Sequence, residues 1–139
     1  MAVFSWPGLN VVGCPEMDRN HEPALKMLDR LHEAMIRGRG GETVASILAE
    51  LNEFYPAYFE MEEELLRGSQ YPELEEHGRQ HQSLLEELAE LRRRADAGHL
   101  AITYDTMAAM RRWIETHVNV EDRRAALHVM EHRARLPGG

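Results

Sequence analysis

The sequence has very little cysteine, no long apolar run and few aromatic residues. Cys14 is the single cysteine, so an internal disulfide is excluded and a reducing compartment is expected. No segment approaches the roughly 20 apolar residues that a transmembrane helix needs. The first 14 residues contain no Lys or Arg, and Trp6 and Pro7 interrupt their apolar stretch, which argues against a secretory signal. We therefore expect a cytoplasmic protein with no membrane partner.

Positive charge is also scarce. The chain has 16 Lys and Arg against 24 Asp and Glu, which gives a formal net charge of −8. This charge repels a phosphate backbone, so we expect no nucleic-acid partner. The 139 residues, 43% of them hydrophobic, suit one domain with a substantial core.

Glycine and proline are concentrated in short interruptions of a helix-forming composition. GRGG at 38–41, GSQYP at 68–72 and Gly98 separate four long segments. We predict helices near 20–37, 43–67, 72–97 and 101–118, and a shorter one over 121–134. Short connections between long helices favour an all-α fold, an antiparallel up-down four-helix bundle. We expect one domain over 1–139, with an N-terminal arm at 1–19 and a short C-terminal helix and tail at 121–139.

Each of the four long predicted helices has an apolar stripe with alternating spacings of three and four residues, which indicates a buried face. Polar side chains interrupt every stripe: His21, Tyr55, Tyr58, Glu62, His77, His81 and His117. Burial of an unpaired polar group costs on the order of 2 kcal/mol, and an unpaired charge costs more. These groups should therefore be hydrogen-bonded to one another or bound to a shared metal, which would satisfy all of them at once.

The spacing of the candidate ligands supports a shared site to different degrees. His77 and His81 are separated by one helical turn, so both imidazoles can reach one ion. His117 and Asp122 are five residues apart, about 140° from each other on an ideal helix. They can share a site only if the helix ends or bends between them, which is favoured by the intervening Val118, Asn119 and Val120.

The remaining histidines and several acids are expected at the surface. HVMEH at 128–132 matches the H-x-x-E-H pattern of inverted zinc peptidases, but it lies in an Arg-rich segment close to the end of the sequence. We therefore expect His32, His99, His128 and His132 at the surface. A solvated acidic face is expected for Glu60, Glu63, Glu64, Glu75, Glu76, Glu86 and Glu87.

Four motifs contain the candidate ligands: MDRNH at 17–21, YFEMEEELL at 58–66, YPELEEHGRQH at 71–81 and WIETHVNVED at 113–122. With them the chain resembles a hemerythrin, most closely the single-domain bacterial type. The matching family motifs are Asp-x-x-His, His-Phe-x-x-Glu-Glu, Tyr-Pro with His-x-x-x-His, and Trp-x-x-x-His-x-x-x-x-Asp. The resemblance runs from Trp6 to about Arg124. No Glu-x-x-His pair occurs in the sequence, which argues against the ferritin-like class of di-iron bundles.

The resemblance implies two non-haem irons, oxo- or hydroxo-bridged, inside the bundle. The ligands that it implies are His77, His81 and His117 for one iron, Glu62 and Asp122 as bridges, and His21 for the second iron, where O2 binds in the family. The family's remaining ligand to that second iron is a histidine, and Tyr58 occupies its position here.

Tyr58 leaves two interpretations open. It either fills the position as a core aromatic residue, with the second iron weak or absent, or it ligates a ferric ion as phenolate. An anionic oxygen ligand stabilises Fe(III), so the second interpretation disfavours reversible O2 carriage. Pro56 predicts a kink in the second helix, and Pro23 predicts that the first helix begins with Asn20 as its cap.

We therefore expect a hemerythrin-like di-iron protein whose ligand is O2, peroxide or NO, acting as a binder or sensor or through redox turnover. Two alternatives remain: a reversible O2 carrier or store, and a metal-poor bundle that serves as a structural or partner-binding module. The sequence identifies no protein redox partner.

Overall fold

Helices make up most of the computed structural model, which describes residues 11–36, 41–98 and 104–136. The elements are α1 (Pro15–Ile36), α2 (Gly41–Gly68), α3 (Leu74–Asp96), α4 (Tyr104–Thr116), a π-helical segment (His117–Asp122) and α5 (Arg123–Arg135). These ranges contain no strand. The all-α class and the up-down four-helix bundle with a short C-terminal helix are confirmed. Within the same ranges, no helix has the length and apolar content to cross a membrane.

The core follows the predicted stripes. Helix α2 packs against α1, α3 and α5, and leucines from three helices, Leu28, Leu51 and Leu88, fill the interior with at most 1% of their surface exposed. Each buried leucine contributes about 1.5–3 kcal/mol of hydrophobic stabilisation. This apolar packing fixes the positions of the helices and can offset the cost of the polar residues in the same stripes.

The start of α1 differs from the prediction. The helix begins at Pro15, because the Asp18 carboxylate accepts a hydrogen bond from the Val12 backbone N–H and so secures the preceding turn. Asn20 does not act as a cap, since its side-chain amide donates to the Glu16 carbonyl 3.1 Å away. Pro23 therefore lies well inside α1, although the sequence predicted it near the helix start.

The other helix ends follow the chemistry of their flanking residues. Helix α3 begins at Leu74, just after Pro72. Gly98 follows its end with a φ of +73° and donates its backbone N–H to the Ala95 carbonyl at 3.1 Å, which confirms the predicted glycine cap. Helix α2 runs through Pro56 without interruption.

Candidate metal centre

All seven predicted site residues lie in one buried region of the bundle. Helix α1 supplies His21, α2 supplies Tyr58 and Glu62, α3 supplies His77 and His81, and the π-helical segment supplies His117 and Asp122. Each of these side chains is buried, with 7% or less of the residue exposed: His21, Tyr58, Glu62, His77, His81, His117 and Asp122. Five of them could hold a metal, because one ligand atom from each lies within 4.8 Å of the others: Glu62, His77, His81, His117 and Asp122.

One side of the site gathers three imidazoles around two carboxylate oxygens. Oε1 of Glu62 lies 2.8 Å from Nε2 of His77 and 3.1 Å from Nε2 of His81. Oδ1 of Asp122 lies 3.1 Å from Nε2 of His77 and 3.1 Å from Nε2 of His117. We call this arrangement the three-histidine side.

The same two carboxylates turn their other oxygens toward α1. Nε2 of His21 lies 3.3 Å from Oδ2 of Asp122 and 3.7 Å from Oε2 of Glu62. Each carboxylate therefore offers one oxygen to the three-histidine side and one to the side of His21. This is the orientation that two carboxylates need in order to span a pair of cations.

Although several of them lie at ion-pair distances from one another, some buried ligand atoms make no hydrogen bond within the described part of the chain: both ring nitrogens of His21, Nε2 of His117, Oε2 of Glu62 and both carboxylate oxygens of Asp122. Each unsatisfied buried group costs about 1–3 kcal/mol. Cations between the two sides would satisfy most of these atoms together. A donor set of imidazole nitrogen and carboxylate oxygen, without thiolate, fits iron.

The π-helical segment explains how His117 and Asp122 share one site. The backbone N–H of Arg123 donates to the carbonyl of Val118, five residues earlier. This wider hydrogen-bonding pattern brings residues five apart onto neighbouring positions, whereas an α-helix would separate them. The sequence predicted that the helix ends or bends here, and in the structure it continues but widens.

Mutual contacts control the protonation of these groups when no metal is bound. Burial lowers the pKa of His21, but contacts with Asp122 and Glu62 outweigh burial and raise that pKa to about 9. The same balance raises the pKa of His77 to about 10. Burial and the Asp122 charge raise the pKa of Glu62, but hydrogen bonds from the histidines prevail and lower it to about 2. In the metal-free protein at neutral pH, His21 and His77 are therefore imidazolium ions beside the Glu62 carboxylate.

Tyr58 lies beside His21, with the ring centroids 6.0 Å apart and the planes at 84°. Burial and the charges of Glu62 and Asp122 raise the pKa of the Tyr58 phenol well above its usual value. Tyr58 and His21 also line a cavity of about 20 Å³, whose other walls include Trp113, Ile114 and several further apolar side chains. A cavity of this size holds one water-sized molecule.

The outer nitrogens of two histidines contact residues that the sequence did not single out as ligand partners. Nδ1 of His81 lies 2.9 Å from Oε2 of Glu63, and Nδ1 of His117 lies 2.8 Å from Oε1 of Gln80. The expectation that Glu63 belongs to a solvated face was wrong, because its carboxylate turns toward His81. The consecutive acids in YFEMEEELL were the available signal. The other six glutamates of that expected face are exposed: Glu60, Glu64, Glu75, Glu76, Glu86 and Glu87.

The remaining histidines are less exposed than expected. The surface position predicted for His32 was wrong: it is 5% exposed, because it lies one turn after Leu28 on the inward stripe, and burial lowers its pKa. His128 is half-buried and donates from Nε2 to the Ser69 carbonyl at 2.7 Å. His132 is also half-buried. His99 lies outside the described residues.

Comparisons with known proteins agree with this architecture. Residues 13–126 match the family model described as the Hemerythrin HHE cation binding domain. The chain is 28% identical over 132 residues to the Bacteriohemerythrin of Stenotrophomonas maltophilia, an alignment that covers 95% of this chain and 85% of that protein. The Bacteriohemerythrin of Methylococcus capsulatus is 25% identical over 127 residues, with 88% and 94% covered.

Solved structures with a similar fold include wild-type hemerythrin. Its crystal structure superposes with a TM-score of 0.82 at 21% identity, covering 92% of this chain and 98% of that one. A crystal structure of a hemerythrin point mutant gives a TM-score of 0.83 at 22% identity, with 93% and 98% covered. At this identity the likeness establishes the four-helix fold.

Proposed function

The chain belongs to the hemerythrin family, and from this premise we propose that it is a non-haem di-iron protein that binds O2 or a related small molecule such as peroxide or NO. The observation that carries the proposal is the orientation of Glu62 and Asp122. Each carboxylate offers one oxygen to the three-histidine side and the other to His21, so the two can bridge a pair of ions.

The protein's own residues would hold the two irons unequally. His77, His81 and His117 would ligate the iron on the three-histidine side, with Glu62 and Asp122 as bridges. On the other side the histidine is His21, and Tyr58 is the next residue available. When bound, the iron pair would supply the electrons for chemistry on O2, peroxide or NO. The second iron would have fewer histidine ligands and therefore more room for an external ligand.

The cavity beside His21 and Tyr58 supports small-molecule binding on this second side. Its volume of about 20 Å³ and its mostly apolar walls favour a small neutral molecule over a hydrated anion. The phenol of Tyr58 lies at the same cavity. Its raised pKa means that the metal-free protein keeps the phenol protonated at neutral pH.

We infer that a ferric ion at the second position would displace this proton, so that Tyr58 ligates as phenolate. The phenol ring lies next to His21, and the sequence resemblance implies a histidine ligand at the position that Tyr58 occupies. A phenolate stabilises Fe(III) over Fe(II), which would bias the protein toward redox turnover of peroxide or NO. Tyr58 also packs among Tyr55, Phe54 and Phe59, as a core aromatic residue would. The visible spectrum of the ferric protein distinguishes iron ligation from packing alone.

Reversible O2 storage is the second candidate. The apolar lining of the cavity favours it, because a site with little water slows the release of bound O2 as a reduced, charged product. Cycles of air and inert gas distinguish the two functions. Reversible colour change through several cycles supports storage, whereas permanent conversion to the ferric state on first exposure to air supports redox turnover.

The proposal is tested by iron analysis of the purified protein together with its ferric visible spectrum. About two irons per chain are expected, and a chain that retains no iron after loading would instead be the metal-poor structural bundle. If Tyr58 ligates iron, a phenolate-to-iron charge-transfer band is present and disappears in Tyr58→Phe.

Tyr55→Phe is the matched control for that spectrum. Tyr55 is one turn earlier on the same stripe and is also buried, but its hydroxyl donates to the Ala24 carbonyl at 2.8 Å. Loss of this hydrogen bond should cost about 1 kcal/mol of stability and leave the charge-transfer band unchanged. A Tyr58→Phe protein with the wild-type spectrum would show that the phenol is not a ligand.

A further inference from the structure

The imidazole of His81 is held between two carboxylates from consecutive residues of α2. Its Nε2 faces Oε1 of Glu62 at 3.1 Å, inside the metal centre. Its Nδ1 faces Oε2 of Glu63 at 2.9 Å, on the outer side. When Nδ1 of His81 carries a proton, it therefore donates a hydrogen bond to Glu63. If this is the only proton on the ring, Nε2 presents its lone pair to the centre.

Gly78 provides the space that the outer contact needs. It lies on α3, one turn before His81, where the side chain of Glu63 crosses between the helices. A Cβ atom added at Gly78 would lie 3.1 Å from Oε1 of Glu63, which is tighter than an ordinary van der Waals contact. A side chain at position 78 would therefore require the Glu63 carboxylate to shift by a few tenths of an ångström from its place beside His81.

The other two imidazoles of the three-histidine side have different outer partners. Nδ1 of His117 is 2.8 Å from Oε1 of Gln80, a neutral amide. Nδ1 of His77 is buried and has no hydrogen-bond partner within the ranges that the structure covers. Within those ranges, His81 is thus the ligand of this side whose outer nitrogen contacts a negative charge.

We propose that Glu63 is a positioning residue that fixes the orientation and tautomer of His81, and that Gly78 is the glycine that permits it. The negative charge on the outer side makes Nε2 of His81 a stronger electron donor. This inference rests on the proposed function for its consequence: Glu63 tightens iron binding on the three-histidine side and favours Fe(III) there. A Tyr58 phenolate would act in the same direction on the other side.

Three variants separate charge from position. Glu63→Gln keeps an oxygen acceptor but removes the charge, whereas Gly78→Ala keeps the charge but displaces the carboxylate. The double variant tests whether both changes act through one contact. Glu64→Gln is the matched control, because Glu64 is the next residue along α2, is exposed, and pairs with Arg67 rather than with a histidine.

The first measurement uses the metal-free protein, so it does not depend on iron. The His81 Nδ1 proton is assigned by ¹H–¹⁵N NMR, and its hydrogen bond to a carboxylate should give a strongly downfield signal. We expect an upfield shift in Glu63→Gln and in Gly78→Ala, and none in Glu64→Gln. An unchanged signal in both test variants, with native helicity, would overturn the positioning role.

The second experiment uses iron-loaded protein. It measures how well the protein retains iron against a chelator, and the midpoint potential of the bound iron. Loss of an outer hydrogen-bond partner typically weakens metal binding about 10- to 100-fold. We expect a loss of this size and a raised potential in both single variants, with no further loss in the double variant. Wild-type retention and potential in both would refute the effect on iron. If the wild-type protein holds no iron but the two variants show the NMR shift, the di-iron function is contradicted and the contact between Glu63 and His81 is still supported.

Discussion

The phenyl ring of Phe59 lies flat against the imidazole of His81, with the ring centroids 3.8 Å apart and the planes 1° from parallel. Phe59 belongs to α2 and His81 to α3, so this contact joins two helices at the metal centre. The two carboxylates beside His81 orient its nitrogens, and Phe59 covers one face of the ring. Orientation of the ligand therefore depends on apolar packing as well as on hydrogen bonds.

Phe59→Ala should remove this packing and loosen His81. Because Phe59 is 3% exposed, we expect the free energy of unfolding to fall by about 3–5 kcal/mol, together with faster loss of iron. Urea denaturation and iron retention against a chelator measure the two effects. Phe54→Ala is the control, since Phe54 is half-buried and contacts Tyr58 instead. Equal losses in the two variants would contradict a specific role for Phe59.

The sequence predicted the helices and the inward positions because apolar spacing alone determines which face is buried. It placed His77, His81, Leu84 and Leu88 on one stripe of α3, and all four are buried. The stacking of Phe59 and the turn of Glu63 toward His81 depend on rotamers and on the distance between two helices. Those quantities are set by tertiary packing, so a one-dimensional pattern does not contain them.

The backbone hydrogen bonds at the helix ends and in the π-helical segment also could not be predicted from the spacing of apolar residues. Composition indicated a disturbance after His117, but it could not distinguish a helix end from a π-helical segment, because both relieve the same mismatch between His117 and Asp122. The start of α1 was missed for a related reason. In the sequence, Asp18 belongs to an Asp-x-x-His motif, whereas in the structure its carboxylate accepts a hydrogen bond from the Val12 N–H and extends the helix toward its N-terminus.

Glu62→Gln should disable the bridge between the two sides of the centre. A neutral amide compensates less cationic charge, so we expect iron content to fall below two per chain, as measured by metal analysis after loading. In the metal-free protein, the pKa of His77 should also fall, because Glu62 contributes to its increase. Histidine NMR titration measures this change.

Glu60→Gln is the matched control for the bridge. Glu60 lies two residues earlier on α2 and is exposed, so its neutralisation removes the same charge from the chain without touching the centre. We expect wild-type iron content and an unchanged His77 pKa. Similar iron loss in both variants would show that the effect comes from overall charge.

Gly98→Ala tests the end of α3 independently of the metal. Gly98 has a φ of +73°, and an added Cβ would meet nothing within 4 Å, so the cost arises from backbone conformation alone. We expect a loss of about 1–2 kcal/mol in the free energy of unfolding, measured by urea denaturation. Gly98→Asn should cost less, because asparagine tolerates this conformation. Equal costs for both substitutions would argue against this explanation.

The pH dependence of stability should differ between the metal-free and iron-loaded proteins. In the metal-free protein, His21 and His77 have pKa values of about 9 and about 10, above the ordinary value of about 6.5 in an unfolded chain. Their contribution to stability is therefore complete below about pH 6.5 and is lost as the pH rises through those folded values. The Glu62 carboxyl behaves in the opposite way: with its pKa lowered to about 2, its contribution is present above its ordinary pKa and is lost as the pH falls toward 2.

We therefore expect the free energy of unfolding of the metal-free protein to decrease between about pH 6.5 and 10. Bound iron requires neutral imidazoles, so protons compete with it, and the loaded protein should gain stability over the lower part of this range. Urea denaturation of both forms at several pH values measures the two slopes. Glu62→Gln should flatten the alkaline decline of the metal-free protein, because its histidines lose part of the charge that raises their pKa. A metal-free protein equally stable at pH 6.5 and pH 10 would contradict the imidazolium–carboxylate cluster, since no proton would then leave the folded site in that interval.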